Sequence, residues 1–267
     1  MIRFHYDGTF EGLLTVIAQA IDENTDAQEI SATELQADLF TEVRSIESDP
    51  NLAAGFFERL RRELSPELLL DIGYCFLSEI KGIEKELLDY IRLLLKEGEQ
   101  VNGNYSNPVI LNVQRTCQKV SYEILRMQGL IRFRKLRNGV YYAPIAPEHN
   151  VVRLLASHFR DRFADQQWLI HDTRRKSGIA YDKRQVHFLP FMEMTQEIDS
   201  SSSPYSPERH CNLWDPDERN YQQLWDQYFQ SVAIKERHNK RLQRQHMPER
   251  YWRYLVERVV EVEKEIP

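Results

Sequence analysis

Between Met127 and Leu136 the chain changes its hydrophobic period, and that change constrains the fold more than any other feature. Up to Met127 the apolar residues recur at helical spacing. From Leu130 they alternate, as in LIRFRKL, with Asn138-Gly139 as a tight-turn signal and VYYAPI as the return strand. A chain that spends its first half on helices and then makes hairpins belongs to the α+β class. The expected architecture is a helical N-terminal bundle, a small antiparallel sheet with one covering helix, and C-terminal helices packing back.

The helical half reads segment by segment. Thr9 caps a helix over Phe10 to Ile21, preceded by a short strand over Ile2 to Tyr6 and the turn pair Asp7-Gly8. Residues 22–48 are acidic and weakly patterned, and read as a connection. Further helices are expected over Asn51 to Leu64, from Pro66 to about Glu79, over Ile83 to Glu97, and from Pro108 to Met127. Beyond the hairpin, Val151 to Phe163 is helical, and WLIHD (168–172), Ile179 to Asp182 and QVHFL (185–189) are short strands. Residues 195–213 contain SSSSPYSP and read as a flexible loop. Helices are expected from Asp215 to Val232 and again from Pro248. The domain reading is therefore 1–129, 130–194, a loop at 195–214, and 215–267.

The formal net charge of -6, from 35 basic and 41 acidic residues, argues at first against a polyanionic partner. Its distribution says otherwise. Residues 1–114 net -12, 115–185 net +9, 186–231 net -6 and 232–267 net +3. Separated charge lets one surface attract a polyanion while another repels it. The other reading is that each block is an ordinary solvated surface.

No apolar run approaches the ~20 residues a bilayer span needs, and MIRFHYDGTF does not read as a signal peptide. A cytoplasmic location is expected. Three widely spaced cysteines, at 75, 117 and 211, indicate neither a disulfide framework nor a zinc site. Ten scattered glycines form no phosphate-binding loop, so no cofactor and no metal is expected.

The segment AIKERHNKRLQRQHMPERYW (233–252) interleaves cations with amides and ends on an aromatic pair. Phosphates call for Lys and Arg; exposed bases call for flat rings and amides. Lys235, Arg237, Arg241, Arg244 and Arg250 are the phosphate candidates, with Gln245 among the amides and Trp252 as a stacking ring. For Tyr251 and Trp252 the core-anchor reading comes first, since Trp is usually buried. Arg132 and Arg134 on the hairpin, with Arg174 and Arg175 on the loop after WLIHD, extend the track if their strands are neighbours.

Acid–base candidates are His149, His171, Asp172 and Glu236. His171 and Asp172 are adjacent on a strand and so point to opposite faces.

Five motifs carry a resemblance: YDGTFEGLL (6–14), FLSEIKGIEKELLDYIRL (76–93), FRKLRNGVYYAPIAPEHNVVRLLASHFRDRF (133–163), WLIHD and the basic segment just quoted. Together they resemble the domain of unknown function family numbered 4130, a probable DNA metabolism protein. The resemblance implies association with a radical-SAM protein acting in DNA modification or repair, and fusion of some members to a uracil-DNA glycosylase. It transfers no catalytic residue. The CxxxCxxC that a radical-SAM cluster needs is missing from this sequence, so that chemistry is expected of the partner.

Three functions follow as expectations. The first is a nucleic-acid-binding accessory to the radical-SAM partner. The second is an enzyme acting directly on nucleic acid, of nuclease or glycosylase type. The third is a structural adaptor whose basic segment pairs with the acidic bundle.

Overall fold

The structure is a computed structural model that describes residues 2–33, 41–190, 213–232 and 239–256. It divides into two compact units, Met1–Ser121 and Tyr122–Pro267. It is an α+β protein, with helices and two small sheets.

The first unit opens with β1 (Ile2–His5), α1 (Phe10–Asp22), β2 (Ala27–Ser31) and β3 (Glu42–Ser45). The strands form a parallel sheet in the order β2-β1-β3. The expectation that 22–48 is a plain connection is therefore corrected. Both strands in it are edges, and β3 buries none of its residues. A strand paired on one side with its faces largely wet has little apolar alternation to show.

Helices α2 (Pro50–Glu63), α3 (Pro66–Ser78), α4 (Ile83–Glu97) and α5 (Pro108–Leu130) follow, close to their expected bounds. Asp49 caps α2 by accepting from the amides of Asn51 and Leu52. The core gathers Leu13 and Ile17 of α1, Phe56 and Leu60 of α2, Leu87 and Ile91 of α4, and Ile110 and Val113 of α5.

At the end of β1 the chain makes a tight polar knot. Asp7 accepts from the Thr9 amide (2.9 Å), the Thr9 hydroxyl (2.7 Å) and the Ser48 hydroxyl (2.6 Å). Thr9 in turn caps α1 through the Gly12 amide (2.9 Å). Gly12 is required there, because a Cβ would lie 2.2 Å from Asp7 Oδ1 and 2.7 Å from Ser48 Oγ.

The second unit is built on a five-stranded sheet, ordered β4 (Arg134–Lys135), β5 (Tyr141–Ile145), β6 (Trp168–Asp172), β7 (Ser177–Tyr181) and β8 (Val186–Leu189). β4–β5, β6–β7 and β7–β8 are antiparallel, but β5 and β6 are parallel. The wholly antiparallel sheet is thus corrected. The reason lies in the connections: Asn138-Gly139, with Gly139 at φ +83, turns the chain back on itself, whereas a 3-10 turn (Val152–Leu155) and α6 (Ala156–Arg162) carry β5 across to a parallel neighbour.

One face of the sheet packs Trp168 against Phe133 and Phe159, with Phe163 on Phe133. The alternation expected from Leu130 shrinks to two paired residues, because α5 runs to Leu130 and Phe133 turns into this cluster. After β8, α7 (Glu218–Val232) and α8 (Lys240–His246) follow, then a 3-10 segment, Glu249–Tyr254. The Ser/Pro loop lies almost wholly outside the described residues.

Candidate nucleic-acid interface

The carboxyl ends of the parallel pair β5 and β6 bring several candidates together. Asp172 is fully buried and accepts from the amides of Arg174 (3.0 Å) and Arg175 (3.2 Å) and from Arg175 Nη1 (2.8 Å). The Arg175 guanidinium also donates to the carbonyls of Pro147 (3.2 Å) and Glu148 (2.9 Å). Arg174 donates to the Glu148 carbonyl as well, at 3.1 Å. These bonds lace the loop after β5 to the loop after β6.

A second buried carboxylate fixes the same loop from the α5 side. Glu123 accepts from the amides of Glu148 (2.7 Å) and His149 (2.6 Å) and from the hydroxyl of Tyr251. The sequence reading passed over Glu123. Its only signal was a charge placed among the buried positions of an amphipathic helix.

His171 lies on the opposite face of β6 from Asp172, its Nδ1 2.9 Å from the Tyr142 hydroxyl. His149 is buried with its backbone on Glu123. The acid–base candidates are therefore not gathered around one opening, and Glu236 lies outside the described residues. Among the described residues, no group of three or more His, Cys, Asp or Glu is placed to hold a metal ion.

The four arginines of the hairpin and of the loop after β6 divide. Arg134 is interior at 7% exposure, lies 3.8 Å over the Trp214 ring and sits 3.9 Å from Glu218. Arg175 is taken up by Asp172 and the loop carbonyls. A single track of all four is corrected on those grounds, since a guanidinium bound inside the fold is not offered to a phosphate. Arg174 is exposed, and Arg132 is half-buried over the Trp225 ring at 5.6 Å.

The basic segment divides too. Lys235 and Arg237 lie outside the described residues. On α8, Asn239 caps the helix through the Leu242 amide (3.0 Å), and Lys240, Arg241, Arg244 and Gln245 are all exposed. Their spacing places them on one continuous helix face. Arg244 pairs with Glu249 (2.6 Å), while Lys240 and Arg241 form no ion pair among the described residues. Arg250 pairs with Glu148 (2.9 Å) and covers the Tyr251 ring.

Tyr251 and Trp252 are buried, the indole donating to the Met247 carbonyl at 2.9 Å. Trp252 is thus a core anchor, and the expectation that it stacks on a base is corrected. The exposed rings are elsewhere. Helix α7 is held at its amino end, where buried Glu218 accepts from the Lys135 amide (2.9 Å) and the Asp215 amide donates to the Lys135 carbonyl (3.0 Å). Along it Tyr221, Trp225 and Tyr228 are 64%, 39% and 57% exposed.

A cleft of about 340 Å³ opens between the amino half of α7 and the β4–β5 hairpin, lined by Arg132, Lys135, Tyr141, Tyr221, Gln222 and Trp225 among others. Both the cleft and α8 adjoin the carboxyl end of α5. Arg126 Nη2 donates to the Gln245 carbonyl (3.3 Å), and Arg132, two residues past the helix, borders the cleft.

Fold and surface together define an α+β protein with an exposed basic helix and an exposed aromatic cleft in its second unit. The chain belongs to the family described as Domain of unknown function, DUF4130, which matches residues 81–257. The motifs at 6–14 and 76–80 fall before the matched range. No curated protein matches the chain. Among the described residues, no helix is long and apolar enough to cross a membrane.

Proposed function

We propose that the protein is a nucleic-acid-binding accessory in cytoplasmic DNA metabolism or repair, acting beside a radical-SAM enzyme. The observation that carries the binding is the α8 face, where Lys240, Arg241 and Arg244 are exposed together and two of the three have no ion-pair partner among the described residues. Unpaired, adjacent cations favour a polyanion, because binding releases its condensed counterions. The same observation disfavours an adaptor whose basic residues are neutralised within the chain. The radical-SAM partner rests on the family resemblance alone.

The test is a salt titration of DNA binding by the purified full-length chain. Affinity falls linearly in log–log form with salt, and the double reversal Arg241→Glu/Arg244→Glu lowers that slope by roughly two to four, since each reversal removes a contact and adds a repulsion. Binding that ignores both salt and the reversal rejects the proposal. Co-purification with the radical-SAM protein, with and without DNA, tests the partner.

A further inference from the structure

We infer that the cleft between α7 and the β4–β5 hairpin is a stacking slot for an unpaired nucleobase. The inference rests on the nucleic-acid reading above and names the chemical group that reading leaves open. Three observations support it.

First, the walls are flat rings. Tyr141, Tyr221 and Trp225 line the cleft, and Tyr228 continues the stripe with its ring 5.8 Å from that of Trp225. Every base has a π-face that such rings accept without regard to sequence.

Second, the polar groups suit a base and its backbone better than an apolar peptide. Gln222 places an amide in the cleft, its Nε2 donating to Glu218 at 3.1 Å, while Asn220, Gln223 and Gln227 repeat the amide along α7. Arg132 and Lys135 stand at the same cleft, Lys135 held by Asp215 at 2.9 Å.

Third, the dimensions are those of a small site. About 340 Å³ lies at the lower end of the range for small-molecule pockets and suits one flat group. The residues that follow α8 lead through Val256 to the cleft lining. A paired base has both faces covered by its neighbours and cannot enter. The slot therefore selects single-stranded or locally opened nucleic acid.

The experiment uses the full-length protein and fluorescence anisotropy. A short labelled thymidine oligonucleotide is compared with an abasic strand of the same length, which keeps the phosphates and lacks the bases. The base-bearing strand should bind roughly tenfold tighter or more. The variant Tyr221→Ala/Trp225→Ala should abolish that preference while leaving the abasic affinity unchanged, and both substituted rings are exposed enough that melting stays near wild type. Equal affinity of the wild type for the two strands overturns the slot, as does a variant that keeps the preference; either result leaves phosphate binding standing. If neither strand binds, the nucleic-acid reading itself falls, and the slot with it.

Discussion

The hydroxyl of Tyr251 donates to the carboxylate of Glu123, closing a contact across 128 positions of chain. The same carboxylate receives the amides of Glu148 and His149. One buried side chain thus ties α5, the loop after β5 and the segment after α8.

Removing it should be costly. Glu123→Ala strips two amides and a phenol of their acceptor inside the fold, and is expected to destabilise the chain by roughly 3 kcal/mol or more. Tyr251→Phe, which leaves the amides satisfied, should cost only about 1–2 kcal/mol. Urea melts of the two variants check the order; equal losses would mean that the amides do not depend on Glu123.

Alkaline pH acts on the same tyrosine. Burial, and for Tyr251 the bond to Glu123 as well, raises the phenols of Tyr6, Tyr90 and Tyr251 above their ordinary range. Unfolded chains then release these protons at a lower pH than folded ones. This contribution to stability is complete below about pH 10 and is lost as pH rises beyond it. Phenolate absorbance followed alongside circular dichroism should show these tyrosines ionising only as the fold is lost.

Two glycines offer an internal contrast. A methyl at Gly12 would collide with Asp7 and Ser48, whereas one at Gly55, on the exposed side of α2, meets nothing within 4 Å. Gly12→Ala should therefore destabilise by about 1–3 kcal/mol. Gly55→Ala should stabilise by up to about 1 kcal/mol through helix propensity. Thermal melts with opposite signs are expected.

The arginines should separate by assay. Arg134→Ala leaves Glu218 without its interior cation, at a cost of about 3 kcal/mol. Arg241→Glu should leave the melt within about 0.5 kcal/mol and reduce DNA affinity instead. A matching loss of stability at both positions would count against the division between interior and surface arginines.

Cys75 and Cys117 face each other inside the first unit with their sulfurs 3.7 Å apart. The hydrogen bond that the Cys117 thiol shares with Cys75, together with burial, holds that thiol far above its ordinary range. Neither should alkylate with iodoacetamide at mildly alkaline pH until denaturant is added, as intact-mass spectra can show.

The helices were legible because each has a wide apolar stripe and a clear stop, such as Ser65-Pro66 before α3 and Gly98 after α4. The edge strands β2 and β3 were not, since pairing with β1 is a long-range fact that a short acidic segment does not display. The parallel step from β5 to β6 was written in the strand-helix-strand order and was read past. At the surface, residue type alone does not decide exposure. The rings beside the basic run suit either a core anchor or a stacking platform and are buried, while those on α7 share an apolar stripe and are exposed. Burial of a ring depends on what packs over it, and one chain segment does not carry that information.

Helix α5 is one continuous element of 23 residues, yet the division between the units falls within it, after Ser121. Its first turns place Ile110 and Val113 in the first core, and its last turns place Glu123 under Tyr251. A cloning boundary drawn at that division would sever every hydrogen bond of the turn that spans it. Each fragment would be left with a frayed helix end where the helix now runs on without a break.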